Sequence, residues 1–167
     1  MNIFILDDDI NNIPKLMSDQ HVIKMILESC QILCTVHHLH NTANVPYKKT
    51  HQHHPCVVWA NESTYNYSYT LELAQALSDE YTFRFGKIHK SQAVINWLKD
   101  NTPNIPYSEM TQHVQCVPDD YVHRDAVKAY RDYYVKKYND SQESVRKAMR
   151  FTKRTIPTFI TQSILSQ

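Results

Sequence analysis

Four polar residues in an otherwise apolar run could do chemistry together: His21, Lys24, Glu28 and Gln31, within Asp19 to His40, DQHVIKMILESCQILCTVHHLH. At about 100° per residue they fall in one narrow helical stripe. An imidazole, an amine and a carboxylate on one face can hold or move a proton, and a neutral amine is also a nucleophile. Val22, Ile23, Met25, Ile26, Leu27, Cys30, Ile32 and Leu33 wrap the remaining circumference. That inverts the ordinary surface helix, whose polar face is the broader one. The helix is therefore expected at the centre of the core, with its polar stripe either paired internally or lining a cavity. Two readings stand: a buried network that only fixes packing, or the wall of a site centred on Glu28.

Composition narrows the chemistry. Gly86 is the single glycine among 167 residues, which excludes a Walker phosphate loop, a dinucleotide-binding fingerprint and a serine nucleophile elbow. It also argues against hairpin-rich β folds. The expected architecture is all-α: one compact helical domain over 1–167, with a central buried helix and long irregular loops. No apolar run is long enough to cross a membrane and no secretory signal is visible, so a cytoplasmic protein is expected. Cys30, Cys34, Cys56 and Cys116 lack zinc-ribbon spacing and read as reduced, packed thiols.

The net charge of +1 hides an asymmetry. Residues 1–120 carry 8 Lys/Arg against 13 Asp/Glu, whereas 121–154 carry 10 against 4. A basic segment this concentrated points either to a polyanionic partner or to a solvated helix face.

Several elements must position the stripe. MNIFILD, Met1 to Asp7, reads as an extended lead-in packed on the core, followed by an exposed acidic turn at Asp7, Asp8 and Asp9. The loop Tyr47 to Pro55 carries His51, His53 and His54, with Cys56 just beyond. With His37, His38 and His40 these residues could ligate zinc or iron, but no HExxH or CxxC spacing supports it, and no metal or other cofactor is assigned. Val57 to Phe85 reads as a long helix, straight or bent, with a core stripe of Trp59, Tyr65, Tyr69, Leu73, Leu77 and Tyr81, ended by Gly86. Glu80 and Arg84 are an i,i+4 pair on it. A short amphipathic helix follows over Lys90 to Asp100. Asn101 to Asp120, with three prolines, reads as a long irregular connection. In the helix Asp125 to Tyr138, Tyr130, Tyr133 and Tyr134 alternate with Lys128, Arg131, Lys136 and Lys137, a pattern suited to nucleic acid because cations meet phosphates and rings stack on bases. A last basic helix is expected from Ser141 to Lys153, ended by Pro157 and followed by a tail.

Asp19-Gln20-His21 with Glu28 seven residues after the histidine resembles the phage pyrimidine dimer DNA glycosylases of the endonuclease V type. Tyr130-Arg-Asp-Tyr133-Tyr134 followed by Lys136 resembles the aromatic, basic segment near that family's C-terminus. MNIFILD, HPCxxW from His54 to Trp59, and EYTFRFGKIHK from Glu80 to Lys90 are similar to a set of short phage proteins. The resemblance implies a compact all-α fold, a metal-free glycosylase with an abasic-site lyase step, and a location in the phage-infected host cell. It implies that an α-amino group attacks the sugar carbon while Glu28 assists proton transfer. An α-amino group is neutral at much lower pH than lysine, which suits that role. The implied partner is DNA, double-stranded and damaged or modified, kinked and with a base flipped out. Arg131, Lys136 and the tyrosines would hold it. One departure is Asn2, where the family has a small residue exposed by removal of Met. The nucleophile is then the Met1 amine or Lys24, or lyase chemistry is absent. Two other readings stay open: an enzyme or binding protein recognising a nucleotide or modified base through His21, Lys24, Glu28, His54 and Arg84, and a non-enzymatic phage protein that binds nucleic acid or a host protein.

Overall fold

The computed structural model describes residues 1–143 and 148–165, and among them every regular element is helical. Ser18 begins the central element: its hydroxyl accepts from the His21 N–H, and Asp19 puts a negative charge in the first turn, where helix ends favour it. This is α2, Asp19–Leu39, preceded by the one-turn α1, Ile13–Leu16. Around α2 pack α3 (Pro55–Glu62), α4 (Thr64–Phe85) and α5 (Gln92–Asp100). The second layer is α6 (Ala126–Gln142), capped by Asp125, with α7 (Thr158–Leu165) against it.

The N-terminal arm is extended and buried, as the sequence led us to expect. Ile3, Phe4, Ile5 and Leu6 are all core residues. Phe4 stacks between the two layers, its ring centroid 5.0 Å from His21 on α2 and 5.6 and 5.7 Å from Tyr130 and Tyr134 on α6. Gly86 ends α4 as expected, in the left-handed conformation (φ 65°) that glycine adopts without a Cβ clash. Residues 101–118 form no helix.

Four expectations are corrected. Helix α2 is not buried all round, for its apolar residues Ile23 and Leu27 lie exposed beside Lys24. The long helix from Val57 to Phe85 is two helices. Ser63 is extended (φ −151°, ψ 156°) and its hydroxyl accepts from the Asn66 N–H, a cap that competes with continuing the helix. Tyr65, placed in the core stripe, is exposed against Tyr107. The last basic helix is absent where the chain is described, with residues 144–147, including Arg146 and Lys147, outside the described residues. From Ala148 to Arg154 the backbone is instead drawn across the start of α2: the Arg150 carbonyl accepts from the Asp19 N–H at 2.8 Å, and Asp19 accepts from Thr152 N–H and Oγ1 at 2.9 and 2.7 Å. Pro157 therefore opens α7 rather than preceding a tail; its carbonyl accepts from the Ile160 and Thr161 N–H groups.

Candidate active site

Glu28 is 7% exposed, and among the described residues its carboxylate is met by hydrogen bonds and ion pairs from the arm and from its own helix. The Met1 ammonium nitrogen lies 3.5 Å from Oε2, and the Asn2 N–H donates to the same oxygen at 3.0 Å. Lys24 Nζ, one turn back, lies 3.3 Å from Oε1, with its side chain 66% exposed. The chain terminus is thus brought to one oxygen of a buried carboxylate, and a solvated lysine stands at the other. Gln31, half-buried, follows on the same face of α2.

The arm reaches this position because α6 holds it. Tyr130 Oη donates to Asn2 Oδ1 at 2.8 Å and accepts from the Cys116 N–H at 3.0 Å. Asn2 Nδ2 in turn donates to the Cys116 carbonyl at 2.9 Å. Arg131 Nε donates to the Leu6 carbonyl at 2.8 Å, and its Nη2 reaches Asp7 Oδ2 at 3.2 Å. Tyr134 Oη accepts from the Ser18 N–H at 2.7 Å and meets His21 Nδ1 at 2.8 Å. The rings of Tyr130 and Tyr134 are fully buried. They cannot stack on a base, contrary to the sequence expectation, because they fill the space between α6 and the arm. Tyr133 and Lys136 point outward: Tyr133 is half-buried against Tyr121 with Lys137 Nζ 5.1 Å from its ring centroid, and Lys136 is exposed beside Asp140.

The stripe is divided. His21 turns toward Tyr134 and Ser18, and burial, aided by Lys137 and Lys24, pushes its imidazole down to about 4, so it is neutral. Arg84 is also turned away. Its Nε donates to Glu80 at 2.7 Å, Nη1 to Asp19 at 2.9 Å and Nη2 to the Pro14 carbonyl at 3.0 Å. His21, Lys24, Glu28, His54 and Arg84 therefore do not converge on one ligand. His54 does lie near the carboxylate. Burial chiefly lowers its basicity, the Met1 ammonium adds to that, and Glu28 opposes it.

The other histidines are dispersed. His37 is buried between Tyr67 Oη (2.9 Å) and Thr42 Oγ1 (3.1 Å), while His38 meets the Tyr47 carbonyl and His40 the Asn61 side chain. Beside the Lys24 and Glu28 face, the exposed side chains of Ile23 and Leu27 line an apolar cleft of about 510 Å³ with Tyr47, Tyr81, Ile88 and His89. Sequence reasoning did not find Asn2 as a positioning group, nor Cys116. The two meet each other 114 positions apart along the chain, a pairing that leaves no local signal.

Residues 1–94 match a family model described as pyrimidine dimer DNA glycosylase. No curated protein matches the chain, and no solved structure does. The matched span includes Met1, Lys24, Glu28 and His54 and stops within α5, short of Cys116 and α6.

Proposed function

The chain belongs to the pyrimidine dimer DNA glycosylase family, a DNA-repair family whose substrate is DNA, and on that premise we propose that it excises damaged or modified pyrimidine with its N-terminal amine as nucleophile. The observation that carries this reading is the Met1 nitrogen 3.5 Å from Oε2 of the buried Glu28, with Lys24 Nζ 3.3 Å from its other oxygen. Glu28 accepts a proton from the ammonium, and the neutral amine attacks C1′ of the damaged nucleoside. The N–C1′ bond forms as the glycosidic bond breaks, and the departing pyrimidine takes up a proton. Glu28 then returns its proton to the ring oxygen; the sugar opens and leaves a protonated Schiff base on the terminal nitrogen. From that imine, loss of a C2′ proton expels the 3′ phosphate, which is the lyase step. Lys24, exposed beside Glu28, supplies positive charge where a phosphate would approach, and Gln31 extends the same face of α2. The apolar cleft between Ile23 and His89 offers an extruded base a surface that excludes water. Tyr133, Lys136 and Lys137 meet the backbone of a double-stranded substrate, whereas Tyr130, Arg131 and Tyr134 act through the arm they hold.

The experiment is borohydride reduction of the protein on duplex DNA carrying a thymine dimer or an abasic site. A covalent adduct that peptide mapping locates at the Met1 nitrogen is the expected outcome. An adduct on Lys24, or none, sinks the amine assignment.

A further inference from the structure

We propose that His54, Cys56 and Cys116 form a binding site for a thiophilic divalent cation of the zinc type, between the start of α3 and the irregular 101–118 segment. One ring nitrogen and two sulfurs, one per residue, all lie within 4.8 Å of one another. The two sulfurs are 3.5 Å apart. A tetrahedral zinc with Zn–S near 2.3 Å and Zn–N near 2.0 Å sets ligand–ligand edges of about 3.5–3.8 Å, so the sulfur pair is already at that spacing. A disulfide, at about 2.05 Å, would need the two segments to close much further.

The chemistry of the donors fits as well. A cation needs deprotonated thiols and a neutral imidazole. The Cys56 and Cys116 thiols already hydrogen-bond each other. A bound cation would displace the thiol protons, including the one donated between the two sulfurs. Cys30 and Cys34 differ: burial pushes them up to about 12 and about 11, and neither has a histidine grouped with it among the described residues. The three ligands also sit on ordered supports. His54 caps α3 by accepting from the Cys56 N–H, Cys56 is in the first turn, and Cys116 is clamped by Tyr130 and Asn2. A bound cation would join α3 to the irregular 101–118 segment and so fasten the support on which Asn2 rests.

Metal capture is read without any DNA chemistry, so its failure and that of base excision are separable. The reduced full-length chain is titrated with Co²⁺. The expected result is one equivalent bound, with a thiolate-to-cobalt charge-transfer band and tetrahedral d–d bands that Zn²⁺ bleaches. Cys56→Ser and Cys116→Ser should each lose the charge-transfer band. His54→Asn, which retains an oxygen able to cap α3, should weaken binding while leaving the fold intact by circular dichroism. In the unmodified chain Zn²⁺ should protect Cys116 from iodoacetamide, mapped by mass spectrometry, a measurement that needs no variant to fold. Absence of the band on folded reduced protein, its persistence in the double Cys56→Ser, Cys116→Ser variant, or unprotected Cys116 would overturn the site.

Discussion

Glu28 and Glu80 are equally buried, 7% and 6% exposed, and both face cations, yet they serve opposite ends. Glu80 accepts from Arg84 Nε at 2.7 Å and from Arg154 Nε and Nη2 at 2.8 Å. Burial alone would raise its carboxyl, but Arg154 and Arg84 override that and hold it below the usual range. Guanidinium does not give up its proton, so this cluster is a staple joining α4, α1, the start of α2 and the returning C-terminal chain. Glu28 is met instead by two amines and one backbone N–H. Amines exchange protons, and the terminal one becomes nucleophilic on doing so. What a buried carboxylate does is therefore set by the acidity of its partner as much as by its own burial.

The comparison breaks first at Glu28. Glu28→Gln keeps the shape but removes the proton acceptor. Borohydride adduct formation should fall by about 10²–10⁴-fold with little change in melting temperature. Arg84→Met should do the reverse. It leaves Glu80 and Asp19 short of a buried cation, at a cost of about 3–5 kcal/mol in urea unfolding, with adduct formation per folded molecule unchanged. If Arg84→Met abolished chemistry in folded protein, the division of labour would fail.

The acid limb of stability sharpens the same contrast. Glu80 has a lowered carboxyl in the folded state, so its contribution is complete above the unfolded carboxyl range and is lost as pH falls through the lowered folded value. His37, neutral through burial with smaller contributions from His40 and His38, is pushed down to about 4, so the unfolded chain binds the extra proton first. Stability should therefore decline from about pH 6.5 toward about pH 4. His37→Gln should flatten the upper part of that limb and Glu80→Gln the lower, both read from melting temperature against pH.

Tyr130→Phe removes the hydroxyl that joins Asn2 to Cys116, at a cost of about 1–3 kcal/mol in stability. If Tyr130 positions the arm, the trapping rate should drop while DNA affinity stays the same; a residue stacking on a base would lose affinity instead. The smallest effect is expected for Lys136→Ala. DNA binding should weaken alike across sequences, and the slope of log affinity against log salt should drop by about one.

Much of this was legible locally. Helical periodicity marks α2 and its polar stripe, a lone glycine marks the end of α4, and proline density marks the 101–118 connection. Interleaved tyrosine and arginine on α6 were legible as a pattern but not as a role. Tyr130 and Tyr134 differ from Tyr133 only in the direction that α6 turns them, and that depends on an arm more than 120 residues away. The basic balance of 121–154 overstates the charge left free for a partner: Arg131 and Arg154 are paired with Asp7 and Glu80, which a charge count along the chain does not register.

The sequence by itself determined that the chain would be helical, that one helix would carry a carboxylate amid apolar residues, and which glycine-dependent chemistries were closed to it. These follow from backbone sterics and periodicity, which act over a turn or two. Only the tertiary structure decided that the chain's own first nitrogen would stand beside Glu28, that Arg84 would turn to Glu80 and Asp19, and that Cys116 would meet Cys56. Such pairings arise when distant segments share one core, where each buried polar group must find a partner whatever its position in the chain.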